Sequence, residues 1–166
     1  SVSSDALDED FTKTIRCYQL EALSSAQRNF KDPSYKKIWV MTHRAHTTDK
    51  SVPENSISAV KAAIASGADA LECDTHRTKD GQIVICHDLS INRTTTGTGD
   101  IPSLTLEQIK SYKLLDRNGN PTNETMPTLE EFLKACRGKI YVDLDYSPRT
   151  ASTAEVMAVV EKLGMM

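Results

Sequence analysis

The sequence predicts an α/β protein built on a largely parallel sheet. Two patterns predict it. Apolar runs of strand length alternate with amphipathic stretches of helical period, the order expected when helices cover a sheet of parallel strands. The apolar runs also end in reactive residues: His43-Arg44 after 38–41, Glu72 and Asp74 within 69–74, His87 after 83–86, and Asp143 with Asp145 within 140–145. Apolar strands tipped this way are what a parallel barrel presents at its carboxyl-end face.

Along the chain, Phe11, Ile15, Tyr18 and Ala22 recur at helical spacing over 8–30, and Lys31-Asp32-Pro33 stops the pattern. This predicts an N-terminal helical extension over 1–37, ahead of a main unit over 38–166. Ile38-Trp39-Val40-Met41 reads as a buried strand. Pro53-Glu54-Asn55 opens a helix through about Ser66, with Ile57, Val60 and Ile64 on its buried side and Gly67 as its stop. The strand 69–74 follows, then the turn Thr78-Lys79-Asp80-Gly81 and the strand 83–86. Only seven residues, 75 to 81, join these strands. A helical crossover needs about a dozen, so the link is an extended return or a hairpin, and either brings His87 near Glu72. Residues 89–103 and 116–126 read as loops around a short helix over 104–112. Thr128-Leu129-Glu130-Glu131 is a capping box for a helix that ends at Gly138. The strand 140–145 and a helix over 151–163, apolar at Val156, Val159, Val160 and Leu163, complete the pattern.

Composition narrows the classes. With 166 residues, 39% hydrophobic and 26% charged, the chain suits one domain with a real core. A net charge of -3 and scattered Lys and Arg give no footprint for nucleic acid. No stretch approaches the roughly 18 apolar residues of a membrane span. The cysteines at 17, 73, 86 and 136 lack metal-knuckle spacing, and Cys73 and Cys86 fall in apolar runs where a thiol packs as a small hydrophobe. They do not fix the compartment; a periplasmic or secreted location is expected over a cytoplasmic one.

The chemistry starts from Glu72 and Asp74. On a strand both carboxylates point one way, while Leu71 and Cys73 point the other. Side by side they repel, and burying them is costly unless a cation joins them. Oxygen ligands suit one divalent ion, magnesium or calcium, better than zinc, which prefers nitrogen or sulfur. Asp143 and Asp145 repeat the design. His43 and His87 suit general acid and base work, and Arg44 offers a planar fork for phosphate oxygens. The set reads as phosphoryl chemistry. His46 and His76 are expected at the surface.

The motifs His43-Arg44, Pro53-Glu54-Asn55-Ser56, Gly67-Ala68-Asp69, Glu72-x-Asp74, Thr78-Lys79-Asp80-Gly81, Val84-Ile85-Cys86-His87-Asp88, Arg93-Thr94-Thr95, Gly97-x-Gly99 and Pro127-Thr128-Leu129-Glu130-Glu131 occur in order over about 38–146. In that order they resemble the glycerophosphodiester phosphodiesterases. The resemblance implies a (β/α)8 barrel, of which this chain covers roughly the first half, and metal-dependent hydrolysis of a small-molecule glycerophosphodiester to glycerol 3-phosphate and an alcohol. It implies His43 and His87 as the acid–base pair, Glu72, Asp74 and Asp143 as metal ligands, Arg44 as a phosphate contact and Glu54 as a supporting group. Two departures stand out: Ala45 where the family has glycine, and Asp145 where it has a substrate-facing lysine. A full barrel typically needs about 250 residues, so a continuing chain or a second copy is expected to complete the fold. Alternatives are a relative that binds a phosphodiester or polyol without turnover, a phospholipase D-like reaction giving a cyclic phosphate, and an interaction domain with solvated acids.

Overall fold

Leu71 and Cys73 alternate with Glu72 and Asp74 along the central strand, and that alternation organises the molecule. The structure is a computed structural model that describes residues 14–17, 34, 38–145 and 150–165. Its central strand, β3, spans Ala70–Arg77. On one side it pairs in parallel with β2 (Met41–Thr42), on the other with β5 (Tyr141–Asp145). A further strand, β1 (Thr14–Cys17), lies antiparallel on β5, giving the order β1-β5-β3-β2. The far end of β3 turns back into β4 (Ile83–Ile85), antiparallel, with Thr75 opposite Ile85 and Arg77 opposite Ile83. The seven-residue link is therefore a hairpin, as its length allows.

Four α-helices are described: α1 (Ile57–Ala65), α2 (Leu106–Lys110), α3 (Leu129–Cys136) and α4 (Thr153–Lys162). Each starts on a hydroxyl. Ser56 accepts from the Ala59 amide, and Thr105, Thr128 and Ser152 each complete a capping box. Leu71, Cys73, Val142 and Leu144 share one buried cluster with Val60 of α1, Phe132 and Leu133 of α3, and Val156 and Val160 of α4. Burying each large side chain there contributes about 1.5–3 kcal/mol. The acids are left on the other face of the sheet.

A second buried cluster, including Val84, Cys86, Ile91, Ile101, Ile109, Leu114 and Met126, lies under the long connection between β4 and α3. It gives that connection a core of its own and so holds the segment after His87. Cys73, Cys86 and Cys136 are buried; burial pushes the Cys86 thiol up to about 11. No helix among the described residues is long and apolar enough to cross a membrane.

Three expectations change. Thr14–Cys17 is a strand rather than part of a helix over 8–30; the rest of that span lies outside the described residues. The flank of β5 offers unpaired backbone groups, and pairing with them outweighs local helical periodicity. The strand expected over 38–41 is reduced to Met41–Thr42, and its apolar residues are not buried: Ile38, Val40 and Met41 are all exposed. The helix expected from Pro53 begins at Ile57, because Asn55 has φ 55° and keeps 53–55 in a turn.

Candidate active site

The parallel register between β3 and β5 sets Asp143 beside Glu72 and Asp145 beside Asp74. Four acids thus share one face of two adjacent strands. Carboxylate oxygens of Glu72, Asp74 and Asp145 all lie within 4.8 Å of one another. This triad differs by one member from the expected one. Asp145, expected against the substrate, stands in it. Asp143, expected as the third ligand, is buried beside Glu72 but is not one of the three. Burial pushes the Glu72 carboxyl above its ordinary range; the Arg44 amide pulls it down, and the neighbouring Asp74 charge pushes it up again.

His43 leaves β2 in a tight turn, His43–Ala45, and its Nε2 stands 3.8 Å from Glu72 Oε2. Arg44 and Ala45 both have φ 52°. This left-handed pair turns the Arg44 amide toward Glu72 Oε2, to which it donates at 2.7 Å. Glycine suits such a position without strain; Ala45, fully buried, takes it at a cost of about 1–2 kcal/mol.

Glu54 gathers two guanidinium groups and an imidazole. Its oxygens lie 3.7 Å from the Arg44 guanidinium and 3.4 Å from His46 Nε2. Arg93 grips it with two hydrogen bonds, at 2.9 and 2.7 Å. His46, expected at the surface, is therefore half-buried at the edge of the site, and burial lowers its pKa.

His87 follows β4. The Cys86 amide donates to the Asp74 carbonyl at 3.0 Å, so the backbone entering His87 lies against the carboxylate strand. His87 Nδ1 is 2.7 Å from Asp88 Oδ1. His76, also expected at the surface, is buried: its Nε2 lies 3.2 Å from the His87 carbonyl and its Nδ1 3.3 Å from Thr150 Oγ1. A carbonyl only accepts, so His76 donates through Nε2 and holds the His87 backbone in place. Strand alternation could have found it, since 76 continues the series 72, 74. Arg93 was also missed as a site residue; only its place in the Arg93-Thr94-Thr95 motif marks it.

This constellation lies in a stretch with a clear counterpart: residues 43–165 match the model of the glycerophosphoryl diester phosphodiesterase family. The chain belongs to that family. A glycerophosphodiester phosphodiesterase of Caldanaerobacter subterraneus subsp. tengcongensis is 39% identical over 107 residues, covering 64% of this chain and 43% of that protein. A crystal structure of a glycerophosphoryl diester phosphodiesterase from Parabacteroides distasonis superimposes with a TM-score of 0.76 at 27% identity, covering 90% of this chain and 52% of that one. An Oleispira antarctica phosphodiesterase, solved in complex with the product sn-glycerol-3-phosphate, gives a TM-score of 0.64 at 25% identity, covering 75% of this chain and 52% of that one.

The chain thus spans about half the length of the relatives it matches. Structures of the glycerophosphoryl diester phosphodiesterase family are TIM barrels, and β2, β3 and β5 with their helices form part of one. The family is metal-dependent. Three clustered carboxylates, two of them buried, fit a hard divalent cation, because an ion relieves repulsion that burial would otherwise make costly.

Proposed function

We propose that this chain carries the reacting half of a metal-dependent phosphodiesterase that converts glycerophosphodiesters to glycerol 3-phosphate and an alcohol. The observation that carries this is the convergence of Glu72, Asp74 and Asp145 beside His43, with the approach to His87 bonded to the same strand. Glu72, Asp74 and Asp145 would hold the cation, magnesium or calcium, with Asp143 beside Glu72. When bound, the ion screens phosphate charge and acidifies an attacking hydroxyl.

The chain's own residues do the rest. Arg44 reaches a phosphate oxygen with a guanidinium steadied by Glu54. One of the two imidazoles, His43 or His87, takes the proton from the attacking oxygen as it bonds to phosphorus. The other gives a proton to the departing alcohol oxygen as its bond to phosphorus breaks. An attacking water yields glycerol 3-phosphate directly, whereas the substrate's own hydroxyl yields a cyclic phosphate.

A second reading, binding of a phosphodiester without turnover, draws on Asp145, which puts a third negative charge into the cluster with Glu72 and Asp74 where the substrate's phosphate must approach. Incubation with glycerophosphocholine and a divalent salt, followed by assay of glycerol 3-phosphate and cyclic product, separates the two. Hydrolysis should fall about 10²- to 10⁴-fold in His43→Ala and in His87→Ala. Binding of glycerophosphocholine without any product would contradict the enzyme and favour the second reading.

A further inference from the structure

One unbroken line of polar contacts runs from His87 to Arg44. His87 Nδ1 meets Asp88 Oδ1 at 2.7 Å. Arg93 meets Asp88 with Nε at 2.7 Å and with a terminal nitrogen at 3.1 Å. The remaining edge of the same guanidinium takes both oxygens of Glu54, at 2.9 and 2.7 Å. Glu54 then stands 3.7 Å from Arg44. Arg93 thereby joins the segment after β4 to the turn before α1, 39 residues apart along the chain.

We propose that Asp88 and Arg93 are positioning residues for this site: Asp88 fixes His87 with its proton on Nδ1 and its lone pair on Nε2, and Arg93 locks Asp88 to the carboxylate that steadies Arg44. The inference rests on the reading of His87 as an acid–base group.

The direction of the His87 hydrogen bond follows from charge. The Arg93 guanidinium first, and His87 after it, hold the Asp88 carboxyl far below the usual range. An ionised carboxylate only accepts, so the neutral imidazole must donate from Nδ1. That leaves Nε2 as the basic atom, and the His76 bond to the His87 carbonyl restrains the backbone beneath it. Burial pushes Glu54 up, but Arg93, His46 and Arg44 together hold it ionised. Two carboxylates flank one guanidinium, each meeting it through two atoms. This geometry needs the planar fork of arginine; a lysine ammonium supplies the charge but cannot span both partners.

Arg93 is about half exposed, so the bland reading is a surface ion-pair network that holds two segments together and nothing more. The tautomer of His87 separates the two readings. Long-range ¹H–¹⁵N correlation spectra, recorded where the ring is neutral, should show wild-type His87 protonated on Nδ1 alone. Asp88→Ala and Arg93→Gln should convert that single tautomer into a mixture. In the hydrolysis assay kcat should drop at least about tenfold in both, part of the ~10²–10⁴-fold effect of a positioned acid–base group, with KM little changed in Asp88→Ala and raised in Arg93→Gln, where Glu54 and Arg44 lose their anchor as well. Arg93→Lys should not restore it. A wild-type ring protonated on Nε2, or an unchanged tautomer in both variants, overturns the inference. Thermal melting identifies a variant that does not fold, and the other then decides. The tautomer is read without turnover, so a wild-type protein that hydrolyses nothing refutes the enzymatic reading and leaves this test standing.

Discussion

The backbone amide of Arg44 donates to Glu72 Oε2 across 2.7 Å, from a residue held at φ 52°. One left-handed turn thus satisfies a carboxylate of the acidic triad, directs the Arg44 side chain toward Glu54 and carries His43 to 3.8 Å from the same carboxylate. Strain in the backbone is exchanged for the placement of three groups.

Ala45 is the weak point of that turn. Replacement by glycine removes about 1–2 kcal/mol of left-handed strain. It also loses about 0.8 kcal/mol of methyl burial and gains backbone freedom costing about 0.5–1 kcal/mol. Ala45→Gly should therefore stay within about 1 kcal/mol of wild type, whereas Ala45→Val, larger and β-branched in a fully buried left-handed position, should lose about 2–3 kcal/mol. Urea unfolding measures both; a valine as stable as the alanine would contradict this geometry.

Gly97 is bare for a different reason. A Cβ there would sit 2.4 Å from the Tyr112 ring, which packs against the cluster under the long connection. Gly97→Ala should cost about 1–3 kcal/mol, because ring and loop must part. Thermal melting checks it, and an unaffected midpoint would mean that the ring does not rest on that glycine.

Asp88 makes stability depend on acid. Its folded pKa is depressed from the ordinary 3.8 by Arg93 first and His87 next. A depressed carboxyl binds protons more readily when unfolded, so its contribution is complete above 3.8 and is lost as pH falls toward the folded value. The melting-temperature gap between wild type and Asp88→Asn should be constant near neutrality and close as pH drops from about 5 to about 2. A gap that widens on acidification would reverse the assigned sign.

The acidic triad should reveal itself by stability as well. A divalent ion at about 100 times its Kd adds ~2.7 kcal/mol, or a rise of about 5–10 °C in Tm for a chain this size. Asp145→Asn should melt higher than wild type without the ion, since repulsion is relieved, and gain less when it is added. Asp143→Asn should keep more of the gain. Equal gains in the two variants would remove Asp145 from the ligand set.

Much of this was legible in the sequence because strand alternation is a rigid rule. It placed Glu72 with Asp74 opposite Leu71 and Cys73, and the short 75–81 link allowed the hairpin that is found. The Thr128 capping box marked a helix start correctly. What the pattern could not supply was pairing register: only the β3–β5 alignment sets Asp145, rather than Asp143, beside Asp74. Helical spacing near residue 15 misled because a free sheet flank is a tertiary fact. His46 and His76 look like isolated histidines until Glu54 and the His87 carbonyl are brought to them from elsewhere in the chain. Arg93 joins two segments, a role that no local window contains.

The most direct test is a crystal grown with manganese, whose anomalous scattering marks the ion's position. We expect one strong peak among the carboxylates of Glu72, Asp74 and Asp145, beside the His43 imidazole, and none at that position in Asp74→Asn. A saturating manganese concentration that leaves those carboxylates without a peak, or places the ion elsewhere, would contradict the account.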